Sequence, residues 1–202
     1  MERLRTELIV TIMAWAAFAA GLSAAAATPA VVVEKSNDKV LAIYASSEKI
    51  DVKTESEIYR IIDEVTDYEG IAAAVTSRFC DNLTEEQCRQ FKEVFIRLLR
   101  ISSIKKLGRY RADSFDYLEE EIDGDTAVVR TVANFKDEKI ALDYVLESRD
   151  GLWLIVNYVV DDVDTIRNYR KQSKRLFARK SYEQVIERLE ERIASYEQED
   201  RP

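Results

Sequence analysis

The sequence predicts an α+β domain, and three observations carry that prediction. From Val33 to Leu107 apolar residues recur at helical spacing. From Ser114 to Val160 they alternate, in runs separated by Asp-Gly turns. From Asp164 onward the helical spacing returns. Helices, then four consecutive strands, then helices describe an antiparallel meander with helical layers packed on it. The chain has 202 residues, enough for one real core.

The first stretch, residues 1–27, reads as a secretory signal peptide. Arg3 and Arg5 form a short basic start, and Leu8–Leu22 is an apolar run broken by Thr11 and Gly21. Ala25-Ala26-Ala27 before Thr28 suits an A-x-A cleavage site. The alternative is an uncleaved anchor, because Leu8–Ala27 is just long enough to span a bilayer. No cysteine ends the run, which argues against lipoprotein processing. Residues 28–202 then form a single domain, without repeat or linker. Leader charges cancel, so this domain keeps the net charge of −8.

Taken in order, Val33, Val40, Leu41 and Tyr44 mark a helix over Val33–Ala45. Ile58, Ile61, Ile62 and Val65 mark a second, and Ile71–Phe79 a third, after a break at Asp67-Tyr68. Thr84–Leu107 is the clearest helix, with Cys88, Phe91, Phe95, Leu98 and Ser102 along one stripe and Gly108 as its stop. Thr84 and Gln87 fit a capping box at its start. Export implies an oxidising compartment. Cys80 and Cys88 flank this helix–turn–helix corner, so a disulfide between them is expected; two separate buried thiols are the alternative.

Ser114–Glu121 and Thr126–Phe135 flank Asp123-Gly124, a hairpin signal. Lys139–Ser148 alternates, and Asp150-Gly151 turns it into Leu152–Val160. Strict alternation in that last strand places Trp153, Ile155, Asn157 and Val159 on one face. Leu152, Leu154, Val156, Tyr158 and Val160 take the other, so both faces should be covered. Asp161-Asp162 is a polar corner. Asp164 then caps a helix with an inner stripe of Ile166, Tyr169, Ser173, Leu176 and Phe177, and Val163 stands before it as a staple residue. Ser181 caps the last helix, whose stripe is Val185, Ile186, Leu189, Ile193 and Tyr196.

Composition closes off several chemistries. The net charge of −8 speaks against nucleic acid as a partner. The chain has no histidine, which rules out Ser-His-Asp, Cys-His and HExxH sites. Five glycines form no phosphate-cradling loop. Glu119, Glu120, Glu121, Asp123 and Asp125 crowd one hairpin, but calcium-loop spacing is absent and a strand alternates its side chains. A solvated acidic hairpin is the simpler reading. Asp161, Asp162 and Asp164 suit a helix N-terminus, where negative charge is favoured. Arg167, Arg170, Lys171, Lys174, Arg175, Arg179 and Lys180 make a basic helix, either a solvated face or a site for anionic headgroups or an acidic partner.

Four short stretches carry a resemblance. They are Val65-Thr66-Asp67-Tyr68, Leu83-Thr84-Glu85-Glu86-Gln87 leading into Phe91 and Phe95, Gly151-Leu152-Trp153, and Asn168-Tyr169-Arg170-Lys171-Gln172. In this order the chain resembles the periplasmic phospholipid-shuttle proteins of the Mla system (MlaC), also called the toluene-tolerance auxiliary family, from about Val33 to Tyr196. It departs from them at Asn157, where the family usually has Asp, and at Asp162-Val163-Asp164, where it has Gly-Val-Ser.

The resemblance implies a non-enzymatic carrier, without cofactor or metal, whose sheet and helices enclose an apolar cavity for the acyl chains of a phospholipid. It implies a monomer in the periplasm of a Gram-negative cell, moving lipid between an outer-membrane lipoprotein complex and an inner-membrane ABC transporter with an MCE-domain ring, in maintenance of lipid asymmetry. Phe95, Leu98, Leu99, Leu142, Tyr144, Trp153, Ile155, Ile166 and Tyr169 are the expected lining. Two other classes stay open: an enzyme for a small apolar ligand on a cone-shaped α+β scaffold, and an interaction or assembly module, which a solid core would favour.

Overall fold

A computed structural model of the protein describes residues 27–47, 51–109, 111–136 and 138–198. The expected leader, apart from Ala27, lies outside them. Four helices come first: α1 (Pro29–Ser46), α2 (Val52–Asp63), α3 (Tyr68–Cys80) and α4 (Glu85–Arg109). Strands β1 (Ser114–Asp123), β2 (Thr126–Phe135), β3 (Glu138–Arg149), β4 (Leu152–Val160) and β5 (Val163–Asp164) follow. Helices α5 (Thr165–Phe177) and α6 (Tyr182–Gln198) complete the described residues.

Side-chain caps set the helix starts. Thr28, Asp51, Asp67 and Asp164 each accept a first-turn backbone N–H, at 3.4, 2.8, 2.9 and 2.7 Å. Thr84 and Gln87 bond each other's backbone N–H groups, and Ser181 and Gln184 do the same. Gly108 does not stop α4, which runs on to Arg109. A single helical glycine costs only about 1 kcal/mol, which a helix this long absorbs. A disulfide joins Cys80 at the end of α3 to Cys88 in the first turns of α4, with the Cα atoms 5.1 Å apart.

The sheet has five antiparallel strands in the order β1-β2-β3-β4-β5, rather than the four expected. The fifth is two residues long and too short to show a period. It exists because Asp161 and Asp162 both take positive φ, 46° and 64°, so the polar corner is a tight hairpin turn. Val163 pairs with Val160 there and is 52% exposed, so it does not act as a staple. The first half of the same β4 edge is covered by Val65–Asp67. The Ile155 N–H donates to the Val65 carbonyl at 2.7 Å, and the Asp67 N–H donates to the Ile155 carbonyl at 2.9 Å.

β2 and β3 pair without interruption, while β1 and β4 each carry one extra residue, at Leu118 and Val156. Each bulge inverts the alternation beyond it. In β4 this overturns the expected faces: Leu146 pairs with Ile155 and Tyr144 with Tyr158, so Tyr158 joins Trp153 and Ile155 on the inner face. Coverage of the second face is partial, with Leu152 67% exposed.

Helix α1 lies over that inner face, where Val33 packs with Ala127, Val129, Tyr144, Leu146 and Ile155. Three further apolar clusters knit the helices. Phe91, Leu98 and Leu189 join α4 to α6, Val40, Ile58 and Ile104 join α1, α2 and α4, and Ile71, Val75 and Phe95 join α3 to α4. The expected enclosed cavity is not shown.

Candidate functional site

Among the described residues, grooves open on the helical side, and two of them stand out. The larger, about 700 Å³, lies between α2, α4 and α6. Its charges neutralise one another: Arg60 pairs with Glu64 at 2.7 Å, Arg97 with Glu190 at 2.7 Å, and Arg100 holds Asp63 through two hydrogen bonds. The second, about 620 Å³, runs between α4, α5 and α6. Both volumes fall within the range of roughly 300–1,000 Å³ usual for ligand sites. The second is the stronger candidate because its lining carries five cations against one acid, whereas the first carries three of each.

Its floor is apolar and comes from three helices. Phe95 and Leu98 belong to the inward stripe of α4, Tyr169 and Leu176 to that of α5, and Leu189 to that of α6. Phe95 and Tyr169 meet edge to face, with ring centroids 5.2 Å apart. The Tyr169 hydroxyl lies 3.2 Å from Ser102 Oγ, so the ring's polar end is satisfied inside the protein and its body faces the groove. The rim is basic, formed by Arg175, Arg179, Lys180, Arg188 and Arg192. Glu191 also lines it and is held by Arg188 at 2.9 Å. An apolar floor with a cationic rim suits an amphiphile whose polar end is anionic.

Of the residues expected to line a lipid cavity, Phe95, Leu98 and Tyr169 line this groove. Leu99 and Ile166 sit behind its floor with Ile71 and Val75. Leu142, Tyr144, Trp153 and Ile155 lie elsewhere, packed between the sheet and α1. That region carries a hydrogen-bonded row. Tyr144 donates to Asn37 Oδ1 at 3.1 Å, Asn37 Nδ2 donates to the Tyr117 oxygen at 3.1 Å, and the Tyr158 hydroxyl lies 3.1 Å from Thr66 Oγ1. Burial pushes the Tyr158 phenol up to about 12 and the Tyr144 phenol well above its ordinary range. Both stay neutral at physiological pH, so this wall is polar but uncharged.

The sequence shows no sign of the α6 contribution. Arg188 and Arg192 alternate there with Glu187, Glu190 and Glu191 and read as a mixed solvated face. Asn157 also has a role that periodicity does not reveal: its Oδ1 accepts the Ile166 N–H at 3.2 Å, tying the start of α5 to β4. The acidic hairpin is exposed, as expected, and several of its acids are also engaged. Glu119 and Glu121 pair with Arg130 at 2.9 and 3.1 Å, and Glu120 accepts the Ala30 N–H at the start of α1 at 2.7 Å. Among the described residues no group of three or more acidic or cysteine side chains is placed to hold a metal ion.

The profile of the family described as "MlaC protein" matches residues 34–191. The chain belongs to the MlaC family. A solved structure with this fold is that of the phospholipid-binding protein from Ralstonia solanacearum in complex with a phospholipid. It is 20% identical to this MlaC-family chain, with a TM-score of 0.63, and the match covers 82% of this chain and 96% of that one. No curated protein matches the chain at a significant level. Among the described residues of this MlaC-family protein, no helix is long and apolar enough to cross a membrane.

Proposed function

We propose that this protein is a phospholipid-binding carrier rather than an enzyme, and that it shuttles lipid through the periplasm. Its expected stations are an outer-membrane lipoprotein complex and an inner-membrane ABC transporter with an MCE-domain ring, in maintenance of lipid asymmetry. The observation that carries the reading is the groove between α4, α5 and α6, apolar at its floor and cationic at its rim. Membership of the MlaC family and the phospholipid held by the Ralstonia solanacearum neighbour support it. Each buried methylene contributes about 0.8 kcal/mol, so an acyl chain needs only apolar contact to be retained. A cationic rim then favours the phosphate end outside. Helix α1 begins at Pro29, just past the expected cleavage point after Ala27, which is compatible with export of residues 28–202.

Purification without detergent, followed by lipid extraction and mass spectrometry, should recover phospholipid with the protein. The delipidated protein should then take up lipid again. Failure to take up any lipid would overturn the reading. The buried apolar cluster between sheet and α1 favours one second reading, an interaction module. The same uptake measurement separates the two.

A further inference from the structure

Helix α5 and the turn after it carry Arg167, Arg170, Lys171, Lys174, Arg175, Arg179 and Lys180, with no acidic residue between Asp164 and Glu183. This is the longest run of positive charge in a chain whose net charge is −8. The fold decides where the run points. Tyr169, Ser173, Leu176 and Phe177 turn inward toward α4 and α6, which leaves all seven cations exposed on the outer side. They extend along about 20 Å of chain.

The cations are not used internally. Arg170 spends one donor on the Ala74 carbonyl at 2.7 Å. Among the described residues, no ion pair ties Arg167, Lys171, Lys174, Arg175, Arg179 or Lys180 to an acid. Like charges three and four residues apart on a helix repel each other. The helix therefore carries an electrostatic strain that an anionic surface would relieve. Glu183, Glu187, Glu190 and Glu191 stand nearby on α6, but the densest group of acids lies elsewhere. Asp116, Glu119, Glu120, Glu121, Asp123 and Asp125 lie on or beside β1, the sheet edge opposite β4 and β5. A molecule so polarised is turned by an external field before contact.

We infer that the outer face of α5 docks on an anionic lipid bilayer. A protein partner fits the stripe less well, because interface energy concentrates in apolar and aromatic anchors. The outward face of α5 offers only Asn168 and Ala178 besides its cations. A row of long, flexible cations without an anchor matches a charged plane, where attraction is spread over many headgroups. The stripe ends at Arg175, Arg179 and Lys180, which also form the groove rim, so docking brings the groove mouth to the membrane. The inference rests on the charge pattern and does not require that the groove binds lipid.

Co-sedimentation of the purified protein with phosphatidylcholine vesicles, with and without phosphatidylglycerol, tests it. Binding is expected only to the phosphatidylglycerol vesicles, and it should weaken as salt is raised. The variant Arg167→Gln, Lys171→Gln, Lys174→Gln changes three cations outside the groove. Near such a surface each cation contributes about fivefold, so this variant should bind about a hundredfold more weakly. Its circular dichroism and its uptake of monomeric lipid should be unchanged. The charge-keeping variant Arg167→Lys, Lys171→Arg, Lys174→Arg should bind as the parent does. Equal binding to both vesicles, binding to neither, or undiminished binding by the glutamine variant would overturn the inference. Loss of lipid uptake in the parent protein would instead remove the carrier reading and leave this one standing.

Discussion

Asn37 shows how much one side chain can hold. Its amide bridges Tyr144 on β3 and Tyr117 on β1, and so fixes α1 over the inner face of the sheet. Asn37→Ala leaves the Tyr144 hydroxyl buried without its partner. A loss of about 1–3 kcal/mol is expected, read from urea unfolding. Gly70 is a second such point, for a different reason. A Cβ there would lie 2.0 Å from Asp67 Oδ2, and Asp67 both caps α3 and pairs with Arg149. Alanine is the better helix former by about 1 kcal/mol. Gly70→Ala should nonetheless destabilise by about 1–2 kcal/mol, because cap and ion pair are disturbed together. A gain in stability would show that Asp67 can move aside without penalty.

At the scale of elements, the α3–α4 corner is held by the Cys80–Cys88 disulfide. Titration of the unreduced protein should find no free thiol. Reduction should lower stability by about 2–3 kcal/mol, the amount set by a short closed loop. The six helices and four long strands were legible in the chain because each has its own period and its own punctuation. The N-caps at Thr84, Asp164 and Ser181 and the Asp-Gly turns are local signals that tertiary packing did not override. The bulges at Leu118 and Val156 were not legible, since one extra residue leaves composition and spacing on either side intact. That single residue moved Tyr158 to the inner face. Phe95, Leu98 and Tyr169 could be picked from their stripes, but the convergence of three helices on one groove has no counterpart in any local pattern. Arg188 and Arg192 stayed hidden among glutamates for the same reason.

For the molecule as a whole, buried tyrosines set the alkaline limit of stability. Burial raises the Tyr44, Tyr59 and Tyr158 phenols from an ordinary value of 10.0 to about 12. A raised folded value means that the unfolded chain ionises first. The stabilisation is thus complete below pH 10 and is lost as pH climbs from about 10 to about 12. Thermal melts should be flat in the neutral range and fall in that window, together with the rise of tyrosinate absorbance. Early ionisation of these phenols in the folded protein would mean that the interior admits water.

The two bulges also decide how the sheet tolerates loss of chain. A single deletion in a strand normally throws every later side chain to the opposite face. Removing Leu118 or Val156 alone would do the reverse, since the pairs on both sides, Tyr117 with Thr131 and Glu119 with Arg130, Ile155 with Leu146 and Asn157 with Val145, are already in place without it. In a scan of one-residue deletions along β1 and β4, these two positions should stand out as the ones that still yield folded protein.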